Sequence, residues 1–400
     1  MSDTSLSLNE NRAPADAPPF AVVADSHDRR VALFQQALAE RKLPAATVID
    51  YRRVAAGEVA WEREIPRGCI VRIDSPGRDF ETYRSLLTVG ADAAEAEGAP
   101  VLSRATLARL EPQKGKILLP RQWYLGFTAV LDRVGSALAE RSDVVLTNHP
   151  HDVAVMFDKS LCHAVLSRAG LPVPPPIGAV ENFQQLRDRM RQLARPRVFV
   201  KLRHGSGASG VAALQPTVRG LEAWTTCEMV AGSEGVELYN NRRIRRYRNE
   251  SEVARLVDTL CRHGAHCEAW VPKAGIDGCA CDLRIVVIAG QPRHAVMRLS
   301  KTPLTNLHLR NARRDTSAIR SRMSEPAWRS LMDTCRRTAA MFPRTLHVGI
   351  DVAVLCHFRR HMVLEVNAFG DLLDSVTWNG QDTYAVELAA MLAMTGCLHD

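Results

Sequence analysis

The sequence predicts an α/β protein in which a parallel α/β domain comes first and two α+β lobes follow. Three observations support this fold class. Strand-like and helix-like segments alternate from Phe20 to about residue 147, which is typical of a parallel sheet. A strand that carries a lysine then runs into a turn with three glycines. The last third of the chain consists mainly of long predicted strands, two of which carry carboxylate and amide side chains.

Composition limits the class of protein before any motif is considered. The 400 residues are 46% hydrophobic and 24% charged, with ten cysteines and a formal net charge of +8. These values are those of an ordinary globular protein, and the length predicts two or three domains. No stretch approaches the roughly 18 apolar residues that a membrane-spanning helix needs. Because the cysteines lack a framework spacing, we expect reduced thiols.

The first 18 residues are polar, contain proline and lack the apolar middle of a secretory signal, so we expect a disordered tail on a cytoplasmic protein. The strands predicted next are Phe20–Asp25, Ala46–Asp50 and Cys69–Asp74. Helical spacing runs from Asp28 to Arg41. The loop Ser75–Asp79 follows the carboxyl end of a strand, where ligands of parallel sheets usually bind. We expect a plain turn there, with substrate contact by this loop or by Arg72 as the alternative.

The elements of the remaining chain follow from the same patterns. A helix is predicted from about Pro120 to Glu140, and another after Asp158 that ends before a proline-rich stretch. Arg197–Leu202 predicts a strand. Later strands are CEAWV, DLRIVVIAG, RHAVMRLS, VGIDVAVL and HMVLEVN. A helix from Ser324 to Ala340 interrupts them, and another helix closes the chain.

The segment HGSGASG places Gly205, Gly207 and Gly210 in a G-x-G-x-x-G pattern, which is weak evidence alone. A dinucleotide-binding turn would open a helix, but the apolar VAALQP follows. A protein-kinase loop would need its lysine on a later strand, whereas Lys201 precedes the glycines. Glycines let backbone N–H groups approach phosphate oxygens closely. We therefore predict a hairpin loop that folds over phosphates, with Lys201 close to them.

Oxygen donors gather near the end of the chain. Glu365 and Asn367 are two residues apart on a predicted strand and so point to the same face of a sheet. If this strand forms a hairpin with the preceding one, Asp351 lies beside them. Two carboxylates and an amide oxygen suit Mg²⁺ that also binds phosphate.

Arginines and a polar loop lie between these two regions. Arg284 and Arg298 are predicted on adjacent strands, where they could hold a phosphate through charge-assisted hydrogen bonds. The loop TNLHLRN, with Asn306, His308 and Asn311, is typical of a lid over a site.

The order of these elements resembles the ATP-grasp superfamily, specifically its glutathione synthetase and ribosomal-protein glutamate ligase branch. The resemblance covers roughly residues 148–373 and starts at NHPHDVAVMFDKS, where an Asp-Lys pair precedes a helix. It implies an ATP-grasp fold and an ATP-dependent carbon–nitrogen ligase. Such an enzyme forms an amide through an acyl phosphate and releases ADP and phosphate. The implied cofactors are ATP and Mg²⁺, with Mn²⁺ as a replacement.

The resemblance also implies a role for each matching residue. Those implied to bind the nucleotide are Lys159, Lys201, Gly205, Gly207, Gly210, Glu268, Ala269, Trp270, Val271 and Lys273. Those implied to hold phosphate and activated substrate are Arg284, Arg298 and Asn306, and those implied to ligate the metal are Asp351, Glu365 and Asn367. The expected divisions are a tail at 1–18, a pre-ATP-grasp domain at 19–147, a small lobe at 148–266 and a C-terminal lobe at 267–400.

Two features depart from the family pattern. The interval from Gly210 to Glu268 is long, which predicts an added hairpin. It contains the basic run Arg242, Arg243, Arg245, Arg246 and Arg248, interpreted as a solvated strand face or as a substrate-facing patch. After Asn367 the chain reads AFGDLLD, so that Asp371 and Asp374 could recognise an amine.

Other functions remain open at this stage. A small-molecule kinase would use the same lobes and stop after phosphorylation. A basic nucleic-acid-binding protein is disfavoured, because few aromatic side chains accompany the arginines. The Cys and His clusters near Cys279, Cys356 and His263 lack the paired spacing of structural zinc sites. The expected partners are thus small-molecule or peptide acids and amines, with no membrane, and a homo-oligomer is compatible with the sequence.

Overall fold

The computed structural model describes residues 17–232, 235–305, 312–369, 373 and 375–396, and three main sheets organise this part of the chain. The first sheet contains β1 (Phe20–Ala24), β2 (Thr47–Asp50), β3 (Ile70–Ile73) and β4 (Val145–Leu146). The second contains β5 (Val198–Leu202), β6 (Val211–Thr217), β7 (Gly220–Gly232), β8 (Gly235–Tyr247) and β9 (Ala265–Ala269). The third contains β10 (Gly275–Ile276), β11 (Cys279–Ile288), β12 (Gln291–Ser300), β13 (Ala312–Arg314), β14 (His347–Val354) and β15 (His361–Asn367).

Helices connect and cover these sheets. Those before the second sheet are α1 (Arg29–Glu40), α2 (Tyr51–Ala56), α3 (Trp61–Glu64), α4 (Phe80–Val89), α5 (Ala91–Ala96), α6 (Arg104–Ala108), α7 (Pro120–Leu138), α8 (Pro150–Phe157), α9 (Lys159–Arg168) and α10 (Phe183–Gln192). The later ones are α11 (Glu250–Arg262), α12 (Ser317–Arg320), α13 (Glu325–Ala340) and α14 (Thr383–Gly396). In the described part of the chain, no helix is both long enough and apolar enough to cross a bilayer.

The first sheet is parallel, in the order β2-β1-β3-β4, as the alternating pattern predicts. Aspartates begin the helices that follow its strands. Asp28, Asp50 and Asp79 accept hydrogen bonds from the free backbone N–H groups at the starts of α1, α2 and α4. Because the strands are parallel, these three helix starts lie along one edge of the sheet, together with the loops that precede them.

The C-terminal helix α14 packs on the first sheet, because its apolar residues join β1 and α1 in one buried cluster. A buried ion-pair network reinforces this contact. Arg72, on β3, is 2% exposed and binds Asp74, with 3.2 Å between Nε and Oδ2. It also binds Glu387 of α14. Arg72 therefore has an internal structural role, and the alternative in which it contacts a substrate is wrong.

The second sheet is antiparallel, in the order β8-β7-β6-β5-β9, and α11 covers one of its faces. The long hairpin of β7 and β8 confirms that the interval between Gly210 and Glu268 contains a hairpin. A segment that precedes α7 also joins this sheet. Ile117 N–H donates to Leu238 O at 2.8 Å, and Asn240 N–H donates to Gly115 O at 2.6 Å. Ile117 is 7% exposed within the core of the second sheet.

The third sheet is also antiparallel, and its main path runs β13-β12-β11-β14-β15. The predicted hairpin near the end of the chain is confirmed, because Asp351 lies opposite Glu365 across β14 and β15. The predicted strand CEAWV contributes only its first three residues to β9, which pairs with β5 in the second sheet. The lobe boundary predicted at residues 266 and 267 thus falls inside β9, and the division of the chain into domains stays a prediction.

Candidate active site

The candidate site is a cleft between the second and third sheets that extends to the loops of the first sheet. Local structure fixes its lysines. Asp158 caps α9 by accepting a hydrogen bond from Leu161 N–H at 3.0 Å, which places Lys159 on the first turn at the cleft. Lys201 lies on β5 and points to the same cleft, as predicted. The glycine-rich turn connects β5 to β6, and VAALQPT forms a strand after it, as expected for a hairpin loop.

The glycines of this turn have different surroundings. Gly205 and Gly207 line the cleft. Gly210 does not line it, and with φ of +65° it packs so tightly that an added Cβ would lie 2.2 Å from Leu202. Thr226 Oγ donates to Ala208 O at 2.8 Å, which fixes the middle of the turn. Gly210 therefore allows the loop to pack against β5, whereas Gly205 and Gly207 can contact a ligand in the cleft.

Opposite the turn, strand register gathers charged side chains on the third sheet. Arg284 lies opposite Asp351 on the neighbouring strand. The Arg284 guanidinium binds both oxygens of Asp351, with 3.2 Å between Nη2 and Oδ2. Arg298 also reaches Asp351, with Nη2 at 3.1 Å from Oδ2. One buried carboxylate thus holds both predicted phosphate-binding arginines at the base of the cleft.

Asp282 provides a second anchor for Arg298. Its Oδ1 accepts from Arg298 Nε at 2.7 Å, and its Oδ2 lies 3.1 Å from Lys273 Nζ and also binds Thr305. Burial raises the pKa of Asp282, but Arg298 and Lys273 outweigh burial and lower it to about 2. Asp282 is therefore an anion that positions two cations, a role that the sequence prediction missed. Its position two residues before Arg284, on the same face of β11, is the signal that could have found it.

Lys159 and Lys201 are both paired with carboxylates. Lys159 Nζ lies 2.9 Å from Glu365 Oε1 and donates to Gly205 O at 2.5 Å. Lys201 Nζ lies 2.5 Å from Glu268 Oε1. Burial raises the pKa of Glu365, but Lys159 and Lys201 hold it below its ordinary value. Burial lowers the pKa of Lys201, but Glu268 outweighs this effect and raises it.

A chain of buried polar side chains continues from Lys201. Glu268 is 2% exposed, and its Oε2 lies 3.2 Å from His266 Nε2. His266 Nδ1 in turn lies 3.3 Å from Ser160 Oγ. Burial raises the pKa of Glu268, but Lys201 and His266 lower it to about 2. Lys201 therefore stays charged and is held in one orientation.

Between the two sheets, part of the same cleft is apolar and forms a pocket. It is lined by Phe199, Val211, Val271, Leu304 and Leu364, together with Glu268, Ala269 and Lys273. The ring of Trp270, which the resemblance assigns to the nucleotide site, packs instead on Phe199 with 5.5 Å between ring centroids. The guanidinium carbon of Arg197 lies over the ring of Trp270, 5.5 Å from its centroid. Trp270 is not among the residues that line the pocket.

His204 is another residue that the sequence prediction missed. Its side chain is 1% exposed, lies 3.2 Å from Asp158 Oδ2 and stacks on Tyr124 of α7 with 4.1 Å between ring centroids. Because Gly205 follows directly, this contact ties the glycine-rich turn to α7. No local sequence pattern predicts a stacking partner 80 residues away.

The basic run and the remaining predicted residues differ in where they lie. Arg246 binds Glu222 with 2.7 Å between Nη2 and Oε2, and Arg245 binds Glu228, so this part of the basic run is paired on β8 outside the cleft lining. Asn367 lines the cleft, and its Nδ2 donates to Gly349 O at 3.2 Å. Asn306 and the polar loop to Asn311, with His308, lie outside the described residues, as do Asp371 and Asp374.

The described cysteines are free thiols. Within the same ranges, no three His, Cys, Asp or Glu side chains are arranged to hold a metal ion. His361, from one of the clusters considered for zinc, binds Thr334 with 2.8 Å between Nε2 and Oγ1.

Comparison with solved structures identifies the fold. The ATP-grasp ligase PsnB, complexed with a phosphomimetic variant of its minimal precursor, Mg and ADP, matches with a TM-score of 0.51 and 17% identity over 94% of this chain and 99% of PsnB. D-cycloserine synthetase DcsG matches with a TM-score of 0.53 and 15% identity over 94% of this chain and 99% of DcsG. No family model matches the sequence, and no curated protein sequence does either. At these identities the likeness concerns the fold alone.

Proposed function

From the premise that the chain has the ATP-grasp fold, we propose that it is an ATP-dependent ligase that joins a carboxylate to an amine. One observation carries the proposal. Lys159, Lys201, Arg284 and Arg298 converge with Asp351 and Glu365 in one cleft, although they come from distant parts of the chain. A cleft with fixed cations on both sides suits a triphosphate and the charge that develops during phosphoryl transfer.

In this proposal the adenine lies in the apolar pocket beside Phe199 and Val211, next to the backbone of Ala269. Lys201 and Lys159 bind the phosphates, while Gly205 and Gly207 let backbone N–H groups approach them. ATP then replaces the carboxylates as the partner of these lysines. The present contacts to Glu268 and Glu365 hold both lysines in the cleft before ATP binds.

The oxygen donors in the cleft have the chemistry of a metal site. Asp351 and Glu365 lie directly opposite each other, and Asn367 lies on the same strand as Glu365. All three offer hard oxygen atoms, which fit Mg²⁺ and also Mn²⁺. We assign Asp351, Glu365 and Asn367 as the residues that would hold it. When bound, the ion would offset negative charge on the phosphate oxygens.

The proposed reaction has two steps. A carboxylate oxygen attacks the γ-phosphorus of ATP, the bond to the β–γ bridging oxygen breaks, and ADP leaves. Arg284 and Arg298 stabilise the transferred phosphoryl group through charge-assisted hydrogen bonds. An amine then attacks the carbonyl carbon of the acyl phosphate, phosphate leaves, and the amine loses a proton to the surrounding water. Positioning and electrostatics supply most of the acceleration.

A screen with hydroxylamine tests this proposal. Hydroxylamine replaces the unknown amine and converts an acyl phosphate into a hydroxamate, so the acid can be identified separately. PsnB was solved with a precursor peptide, and the screen therefore includes peptide acids as well as small acids. A ligase gives ADP, phosphate and hydroxamate in equal amounts. A stable phosphorylated product without free phosphate would instead identify a kinase.

Two variants localise the activity. Lys201→Ala and Glu365→Ala should abolish ADP formation, whereas Glu81→Ala, on α4 outside the cleft lining, should leave it unchanged. Full turnover by a folded Lys201→Ala or Glu365→Ala variant would refute the site assignment.

We propose a cytoplasmic location because ATP, Mg²⁺ and a reducing environment suited to the scattered thiols occur together there.

A further inference from the structure

The cleft continues beyond the reacting groups to a second wall, formed by loops of the first sheet. Asp28 and Arg30 line it where α1 begins after β1. The loop Ser75–Arg78, which follows β3, lines it beside them. Carboxyl ends of parallel strands are the usual position for ligands in such sheets. Arg284 and Arg298 line the same cleft.

The wall is tightly built where the two loops meet. Asp28 Oδ1 accepts from Arg30 N–H at 2.8 Å, which fixes the first turn of α1. Gly77 has φ of +74°, and an added Cβ would lie 2.2 Å from Asp25 Oδ2. Only glycine therefore lets the Ser75–Arg78 loop lie directly against the end of β1. The backbone that presents Arg78 is thus held in place.

The two arginines of this wall differ in their partners. Arg30 is partly exposed, with Nη1 3.4 Å from Asp28 Oδ2 and Nε 3.7 Å from Asp74 Oδ1. Asp74 is itself paired with the buried Arg72. Arg78 is exposed and makes no hydrogen bond or ion pair with any residue that the structure describes. Arg78 therefore lines the cleft without an ion-pair partner among the described residues, whereas Arg30 lies between two carboxylates.

Aromatic side chains line the stretch between the two charged walls. Trp123, Phe157 and Phe369 all contribute to the lining. They form a continuous surface, with ring centroids 5.9 Å apart for Trp123 and Phe157 and 5.5 Å apart for Phe157 and Phe369. Apolar linings with a few convergent polar groups are typical of small-molecule sites.

We propose that one substrate carries, besides its reacting group, a second carboxylate that binds Arg78 and Arg30. The apolar body of the same substrate packs on Trp123, Phe157 and Phe369. A planar guanidinium matches a carboxylate through two parallel hydrogen bonds, which makes arginine well suited to this recognition. The inference rests on the proposed function and deepens it by defining the substrate class.

Two kinds of substrate share this chemistry. The amine can be an amino acid, whose own carboxylate binds the arginines. Alternatively, the activated acid can be a dicarboxylate, of which one carboxylate reacts and the other binds. Each source has a matched pair of probes. Phenylalanine and phenylalaninamide differ only at the carboxylate of the amine, while phenylsuccinate and 3-phenylpropionate differ only by the second carboxylate of the acid.

The acid pair is assayed with ATP, Mg²⁺ and hydroxylamine, and the amine pair with the best acid of the screen. Both assays follow ADP and the product formed with loss of water. The variants are Arg78→Gln and Arg30→Gln. Arg52→Gln is the matched control, because Arg52 follows β2 in the same way but binds Asp50 and does not line the cleft.

The wild-type protein should prefer the probe with the extra carboxylate, within one of the two pairs, by at least about tenfold in kcat/KM. Arg78→Gln should raise the KM of that probe about tenfold, leave its partner probe unchanged, and retain kcat. Arg30→Gln should act in the same direction, and Arg52→Gln should have no effect. No carboxylate preference in either pair, or an equal loss for both members in Arg78→Gln, would overturn the inference.

Failure of the proposed function gives a different result, namely no ADP with any probe. Binding of the second carboxylate is then measured as a shift in the thermal unfolding temperature with phenylsuccinate or 3-phenylpropionate. The ligand concentration is about 10 mM, on the order of the dissociation constant expected for one charged pair. Stabilisation by phenylsuccinate alone, lost in Arg78→Gln and kept in Arg52→Gln, would support the anion site without the ligase reaction. Equal shifts for both probes, or no shift, would overturn it.

Discussion

Replacement of Glu268 by glutamine tests the buried pair that positions Lys201. Glu268 is 2% exposed, and its carboxylate lies 2.5 Å from Lys201 Nζ and 3.2 Å from His266 Nε2. The pKa of Glu268 falls from 4.5 to about 2 in the folded protein. A difference of this size corresponds to about 3 kcal/mol of folding free energy at pH 7. Glu268→Gln should therefore lower the free energy of unfolding by about 3 kcal/mol.

The same pair makes a prediction about pH. Because the folded pKa is depressed, the stabilisation is fully present above pH 4.5 and is lost as the pH falls toward 2. The contribution falls to about 1 kcal/mol at pH 3. The difference in unfolding free energy between wild type and Glu268→Gln should therefore shrink by about 2 kcal/mol between pH 7 and pH 3.

Urea denaturation at several pH values, followed by tryptophan fluorescence, measures both effects. Glu81→Gln is the control, because Glu81 pairs with Arg84 on the surface of α4 and should change the free energy by no more than about 0.5 kcal/mol. The KM for ATP should rise in Glu268→Gln, since Lys201 loses its fixed orientation. A loss of stability below about 1 kcal/mol at pH 7, or a difference independent of pH, would refute the reasoning.

Three further substitutions test other contacts. Arg72→Met should lower the free energy of unfolding by about 3 to 5 kcal/mol, because it leaves buried carboxylates without their partner. Calorimetry measures this loss, and the double variant Arg72→Met with Glu387→Leu should recover part of it. Ile117→Ala should cost about 2 to 4 kcal/mol and speed hydrogen exchange in β8, and unchanged exchange would contradict the assigned packing. Gly210→Ala should raise the KM for ATP, because an added Cβ would lie 2.2 Å from a leucine side chain. Gly264→Ala, with open space around a similarly positive φ, should not affect that KM.

Local patterns in the sequence predict much of the fold. Periodicity two places Glu365 and Asn367 on one face of β15, and the short turn before them requires β14 to pair alongside. The same reasoning correctly puts Lys201 on a strand that enters the glycine-rich turn. Helix ends are also recognisable, because Asp28 and Ser324 cap α1 and α13 close to the predicted starts.

Periodicity determines which face a side chain takes, but it does not determine what packs against that face. Arg72 has the position expected of a ligand-binding residue, yet its partner Glu387 lies 315 residues away on the closing helix. Similarly, the two arginines of β11 and β12 are predicted as a pair. Their common anchor, Asp351, follows only from the order of strands in the sheet. Long-range pairing of this kind depends on topology, which spacing along the chain does not encode.

The docking of Gly115–Ile117 onto β8 limits how the protein can be divided. A fragment cut to include only the second sheet and its helices would retain every element of that lobe, but it would lack the isoleucine supplied from outside. Its core would contain a cavity, and the edge of β8 would be left open to pairing with other chains. This lobe should therefore be studied within the intact polypeptide or together with a peptide that spans residues 111–119.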